Sequence, residues 1–374
     1  MESSPPPLPL PLPLDAAIRD GLFGEETPLS EIDHRLDRYF ESESGATRAS
    51  LMNLAIYSER PETLPRDDRS LHRISRNHAC RALLLGVDPG EAALSARCWT
   101  KAQCHLGQDG KGLLCSEQVT FLLGGDCHSC LANLVFSHLR SDLPLVMWWR
   151  GDLSRHFHES LYTRIDRLIV DSSQWSDPRA GFELLGQALA SGTGHLADHR
   201  GQLLIHDLAY TRGHQHRRAV AVLFDPPEAR ESLPALRRIE ISHSPGHRHT
   251  ALYLAAWMTR QLKAQPDASS GLLHRRPDGS PLEMAIVESS GPGPIPSILL
   301  ESPDSRFEVR TSSTSPLLEC RARFGTHKLA SFLPGPSVSD EALVSEILMR
   351  GGSNLLLARV LPRMRELLQR QPKP

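Results

Sequence analysis

Hydrophobic and polar positions recur with two different periods along this chain, and the switches between them mark its elements. In PLSEIDHRLDRYFE (28–41), Ile32, Leu36, Tyr39 and Phe40 share one helical stripe, with Ser30 able to cap its start. ASLMNLAIYS (49–58) reads as a strand, DDRSLHRISRNHA (67–79) as a charged helix and RALLLGVD (81–88) as a strand. Two strand-like runs within 97–125 flank GQDGKG, a hairpin signature. Helices are then predicted over 126–141, 158–165, 177–191, 213–225 and 250–264, and strands over 143–149, 166–173, 202–208 and 236–244.

The runs LPLVMWW (143–149) and DRLIVD (166–171) are apolar throughout rather than alternating, as befits strands buried on both faces. The expected fold class is therefore α/β, a mostly parallel sheet covered by helices on both faces, over residues 15–265. From 266 the texture changes. Short strand-like runs at 282–290, 296–303, 306–313 and 317–325 are separated by Pro, Gly and Ser. They predict a smaller antiparallel β-rich region over 266–374, closed by two helices at 338–352 and 353–370, with Pro362 placed to kink the second. Residues 1–14 alternate Pro and Leu, which favours a disordered, polyproline-like tail over a helix or signal peptide.

Composition narrows the function classes. The chain has 374 residues, 40% of them hydrophobic, and a formal net charge of −2. No global field calls for nucleic acid or an anionic membrane. Eighteen His make the charge distinctly positive below about pH 6. Seven scattered Cys do not form the framework of a small secreted protein, and no apolar run approaches a membrane span. A cytoplasmic protein with no membrane or nucleic-acid partner is expected.

Candidate chemistry is sparse. GKG (110–112) lacks the upstream Gly and the hydroxyl of a phosphate loop. GTGHLA (192–197) has dinucleotide-site spelling but follows a helix and precedes a strand, the reverse of what that site needs. HQH (214–216) and HRH (247–249) lack the spacing of a closed zinc site, and no G-x-S-x-G occurs. No cofactor, metal or catalytic residue is expected. Cys127 and Cys130 form a C-x-x-C at a predicted helix start, where amides and dipole favour a thiolate, so a redox pair competes with two inert small residues. At the expected carboxyl ends of strands, Arg150, Asp152, Asp171, Ser172 and Ser173 could line a crevice for a polar ligand or partner, though capping explains the Asp and Ser equally well. Trp148 and Trp149 are successive strand residues and point to opposite faces, which favours a structural role for both.

Several stretches, in order, resemble the OpcA family, the glucose-6-phosphate dehydrogenase assembly proteins. They are RASLMNLAIYS (48–58), CSEQVTF (115–121), SDLPLVMWWRGD (141–152), DRLIVDSSQWSDP (166–178), DLAYTR (207–212) and TALYLAAWMTRQL (250–262). The resemblance implies a non-catalytic assembly factor or allosteric activator whose partner is glucose-6-phosphate dehydrogenase of the oxidative pentose phosphate pathway. It also points to Cys104 and Cys115 as a second candidate redox pair, since family members often carry Cys there. Ala209 and Tyr210 stand where the family usually has Asn and Trp. The alternative from the residues alone is a sugar-phosphate- or nucleotide-binding α/β protein or enzyme using the crevice near Arg150 and Asp171.

Overall fold

Why the long apolar runs become the centre of a sheet is plain from their burial in the computed structural model. It describes residues 12–41, 46–48, 50–106, 113–125, 128–191, 203–267, 273–337, 339–350 and 355–370. The Pro/Leu-rich tail lies outside the described residues up to residue 11, and Leu14 already begins a helix. The chain divides into two compact units, Met1–Ile169 with Ala188–Leu203, and Val170–Gln187 with Leu204–Pro374.

The first unit is built on β1 (Glu25–Glu26), β2 (Ala46–Arg48), β3 (Met52–Ser58), β4 (Cys80–Asp88), β5 (Ser95–Leu106), β6 (Leu113–Gly124), β7 (Leu145–Arg150) and β8 (Arg167–Val170). Their order is β1-β5-β6-β4-β3-β7-β8, with β2 alongside β6. Pairs β6–β4, β4–β3, β3–β7 and β7–β8 are parallel, whereas β1–β5 and the expected hairpin β5–β6 are antiparallel. All six residues of β7 and Asn53–Ser58 of β3 are buried, so both faces of the central strands are covered. The helices are α1 (Leu14–Arg19), α2 (Ile32–Glu41), α3 (Leu64–Ser75), α4 (His128–Ser137) and α5 (Glu159–Tyr162). Helix α3 buries Leu64, Leu71 and Ile74 and packs on β3 and β4.

Trp148 and Trp149 are both almost wholly buried, as their alternation on β7 suggested. Trp149 lies against Tyr57 (ring centroids 3.9 Å) and meets Phe157 edge-on (5.4 Å). The Arg150 guanidinium sits over Trp148 at 4.7 Å. Gly151, at φ +82°, makes the turn that lets the Trp149 indole N–H donate to the Asp152 carbonyl (2.8 Å).

The second unit contains β9 (Leu204–Asp207), β10 (Arg238–His243), β11 (Gln265–Pro266), β12 (Leu273–Arg275), β13 (Pro281–Glu288), β14 (Ser297–Glu301), β15 (Ser305–Thr311), β16 (Leu317–Phe324) and β17 (His327–Pro334). Eight of them form a sheet of order β11-β12-β13-β10-β14-β15-β16-β17. The strand at 238–243, read from sequence as part of the α/β run, belongs here instead. It pairs parallel with β13 and antiparallel with β14. The parallel pair is joined through a covering helix, α10 (Arg248–Gln261), so the second sheet starts before the change of texture at 266. Strand β17, not expected from sequence, is exposed along nearly all its length.

Alternation is strict in β14, β15 and β16. Ile239, Ile241, Met284, Ile298, Leu300, Phe307, Val309 and Leu318 point to one buried face. Helix α10 covers it at β10 and β13, and α8 (His214–Leu223) at β15 and β16. The unit's other helices are α6 (Pro178–Ser191, which runs on into the first unit), α7 (Leu208–Arg212), α9 (Pro227–Glu231), α11 (Asp340–Arg350) and α12 (Leu355–Arg370). Helix α12 continues through Pro362 and presents the buried stripe Leu357, Val360, Leu361, Met364 and Leu367.

Candidate functional site

The expected strand-end residues fall into the two units, and each set has its own partners. In the second unit, Asp171 follows the last residue of β8 and caps the turn Ser172–Gln174, accepting hydrogen bonds from the Ser173 amide (3.2 Å), Ser173 Oγ (2.5 Å) and Gln174 Nε2 (3.0 Å). Arg212, at the end of α7, grips the same carboxylate with both terminal nitrogens, at 2.8 and 2.6 Å. Its Nη2 also donates to Asp340 (2.8 Å), the first residue of α11. Burial pushes the Asp171 pKa up, but the hydrogen bonds and charge of Arg212, with Ser173, outweigh it and hold the carboxyl below the usual range.

Asp207 ends β9 and caps α7. Its carboxylate accepts from the amides of Ser172 (3.1 Å) and Ala209 (2.9 Å) and from the Tyr253 hydroxyl (2.8 Å). Complete burial, and then the neighbouring negative charge of Asp171, push its pKa up to about 6 against those hydrogen bonds. Asp171, Ser172 and Ser173 are thus parts of one network with Asp207, Arg212, Tyr253 and Asp340. Sequence reasoning missed the last four. The signal was present: Asp207 and Arg212 are the first and last residues of DLAYTR, one of the stretches carrying the family resemblance.

In the first unit, Arg150 ends β7 and pairs with buried Asp67 (Nε–Oδ1 3.3 Å), which also accepts from Thr63 Oγ1 (2.8 Å). Burial raises the Asp67 pKa despite these partners. Asp152 contributes its backbone carbonyl to Trp149, while its side chain lies on an exposed residue. Beside this turn, Glu59 accepts from Tyr57 Oη (2.9 Å), His156 Nδ1 (2.8 Å) and Ser154 Oγ. The Ser, His and Glu do not form a nucleophilic relay. Serine and imidazole Nδ1 both point at the carboxylate, whereas a relay needs the hydroxyl on the ring's other nitrogen.

The remaining candidates are placed as follows. Cys104 and Cys115 face each other across β5–β6 and are joined by a disulfide. Cys127 and the Cys130 side chain lie outside the described residues. Cys80 and Cys98 are buried thiols whose pKa burial pushes up to about 12, so neither is reactive at neutral pH. From the HQH stretch, buried His216 donates from Nε2 to the Ile295 carbonyl (3.1 Å), and burial lowers its pKa to about 4. Among the described residues no three His, Cys, Asp or Glu are grouped to hold a metal. A cleft of about 340 Å³ between Glu26–Leu29 and Ala96–Cys98 is lined by none of the strand-end residues.

Fold and site together define an α/β protein of two units in which the strand-end carboxylates Asp171 and Asp207 belong to one buried hydrogen-bond and ion-pair network. Residues 71–187 match the N-terminal domain, and residues 204–361 the C-terminal domain, of the glucose-6-phosphate dehydrogenase subunit. The chain belongs to this family, the OpcA family. The putative OxPP cycle protein OpcA of Synechococcus elongatus is 30% identical over 201 residues, 52% of this chain and 42% of that protein, so the match spans less than half of the relative's length. Solved structures that align include an open-conformation 3-ketoreductase from Actinomadura kijaniata (TM-score 0.48, 10% identity, 85% of this chain and 96% of that one). Another is an aldose-aldose oxidoreductase from Caulobacter crescentus (TM-score 0.43, 11% identity, 85% and 96%). No helix among the described residues is long and apolar enough to cross a membrane.

Proposed function

We propose that this chain is a non-catalytic assembly factor and allosteric activator of glucose-6-phosphate dehydrogenase, its protein partner, working in the cytoplasm. Membership of the dehydrogenase-subunit family, matched in order along most of the chain, carries the reading. The strand ends support it. An α/β enzyme keeps reactive and ligand-binding groups there. Here Arg212 is committed to Asp171 and Asp340, and Arg150 to Asp67. Drawing either arginine onto a substrate anion would strand a buried carboxylate, at about 3–5 kcal/mol. The Cys104–Cys115 bond is the redox element of this reading, and its reduction is expected to alter the degree of activation.

The test is kinetic. Alone, the purified chain turns over neither glucose 6-phosphate nor NADP. Titrated into the dehydrogenase of the same organism, it changes KM or kcat, to different extents with and without reductant. Kinetics untouched in both redox states would overturn the proposal. A thermal shift with sugar phosphates or nucleotides that disappears in Arg150→Met would instead favour a ligand-binding protein.

A further inference from the structure

The second unit's sheet has one face under helices and the other open to solvent, and the open face is electrically divided. Residues paired in register share a face, so the rows can be read directly from the pairing. On β13, β10 and β14 the outward charges are Glu283, Glu240 and Glu301 against Arg238. On β15, β16 and β17 they are Arg306, Arg310, Arg321, Arg323 and Lys328 against Glu308 and Glu319. One half of the face is acidic and the other basic. Beyond the acidic half, Arg275 of β12 is tied to Asp267 (2.5 Å). Two apolar side chains stand out in one row, Val287 on β13 (43% exposed) and Phe332 on β17 (65% exposed).

We propose that this face is where two copies of the chain meet, with a two-fold axis running along the strands between β14 and β15. That axis lays β13 over β17 of the second copy, β10 over β16 and β14 over β15. Following the register, Glu283 then faces Lys328, Glu240 faces Arg321 and Glu301 faces Arg306 of the other copy, and Val287 faces Phe332. Each contact occurs twice by symmetry. The one like-charge meeting, Arg238 with Arg323, has Glu240 beside it, already paired to Arg238 at 2.7 Å. The six strands that overlap, about 4.8 Å apart and roughly 20 Å long, present about 580 Å² per copy, or about 1,150 Å² in all, at the low end of specific interfaces. A second copy supplies both halves of the complementary charge at once, which favours it over an unrelated partner.

The test uses the chain alone, so its outcome is independent of the dehydrogenase. In sedimentation velocity at micromolar concentration and low salt, the wild-type chain runs as a dimer that weakens with added salt. Glu283→Lys and Lys328→Glu each put like charges face to face at both symmetry-related contacts, and each raises the dimer dissociation constant by roughly tenfold or more. The double exchange, E283K with K328E, restores dimerisation, which a merely structural role for either residue would not do. Both positions are exposed, so circular dichroism and the melting temperature should stay at wild-type values. A monomeric wild-type chain overturns the proposal. So does a dimer indifferent to the single reversals, or one that the double exchange fails to restore.

Discussion

At the scale of single residues, the second unit holds two carboxylates with opposite perturbations. Asp207 has its native pKa raised to about 6, above the ordinary 3.8. Between those values the native state holds a proton that the unfolded chain has released, so this residue's contribution to stability falls as pH rises and levels off above about 6. Asp207→Asn removes the buried charge. Its stability relative to wild type is expected to climb by about 2–3 kcal/mol from pH 4 to 6.5 and then stay flat, as read by urea unfolding. An offset independent of pH would contradict the assignment. Asp171, with a lowered pKa, contributes in the other sense: its stabilisation is present above the ordinary value and is lost as pH falls through the native one. Arg212→Met leaves Asp171 and Asp340 without their cation and should cost about 3–5 kcal/mol, much of it recovered by adding Asp171→Asn. Additive losses in that double variant would show that the two do not act as a pair. Asp171 and its serines were visible in the sequence as strand-end caps. Arg212 was not, because nothing local ties a residue 41 positions away to that carboxylate.

Elements were legible wherever burial is two-sided or strictly alternating. The apolar run ending in Trp148 and Trp149 became β7, and both indoles are buried as their alternation required. Trp149→Phe keeps most of the apolar area but leaves the Asp152 carbonyl without its donor. It should cost about 1–2 kcal/mol in chemical denaturation, well under the ~3–5 kcal/mol of Trp148→Ala. No measurable loss in Trp149→Phe would mean that the Asp152 contact is not what holds the turn. The placement of β10 was not legible, because its neighbours β13 and β14 come after α10 and further loops, and local periodicity carries no pairing information. Strand β17 escaped for a related reason: with almost every position exposed, it has no polar–apolar alternation to read. Cys104 and Cys115 were expected to matter on resemblance. The hairpin register explains how they meet, directly opposite one another. Cys104→Ser with Cys115→Ser should lower stability by about 2–3 kcal/mol under non-reducing conditions and have no effect in excess reductant. A loss that persists in reductant would point to packing rather than the cross-link.

For the whole molecule, the sequence carried the class and the family further than the chemistry. Alternating strands and helices indicated an α/β protein, and stretches from both units together indicated the dehydrogenase-subunit family. Strand-end polar residues, which could equally have belonged to an enzyme, are engaged with one another. The proposed function assigns the dehydrogenase to the surface of this chain. The most direct measurement is sedimentation velocity of glucose-6-phosphate dehydrogenase from the same organism, alone and with this chain, followed by activity across the separated species. A faster-sedimenting species containing both chains and carrying the raised activity is the expected result. Two independent boundaries, with activity confined unchanged to the dehydrogenase under both reducing and oxidising conditions, would contradict it.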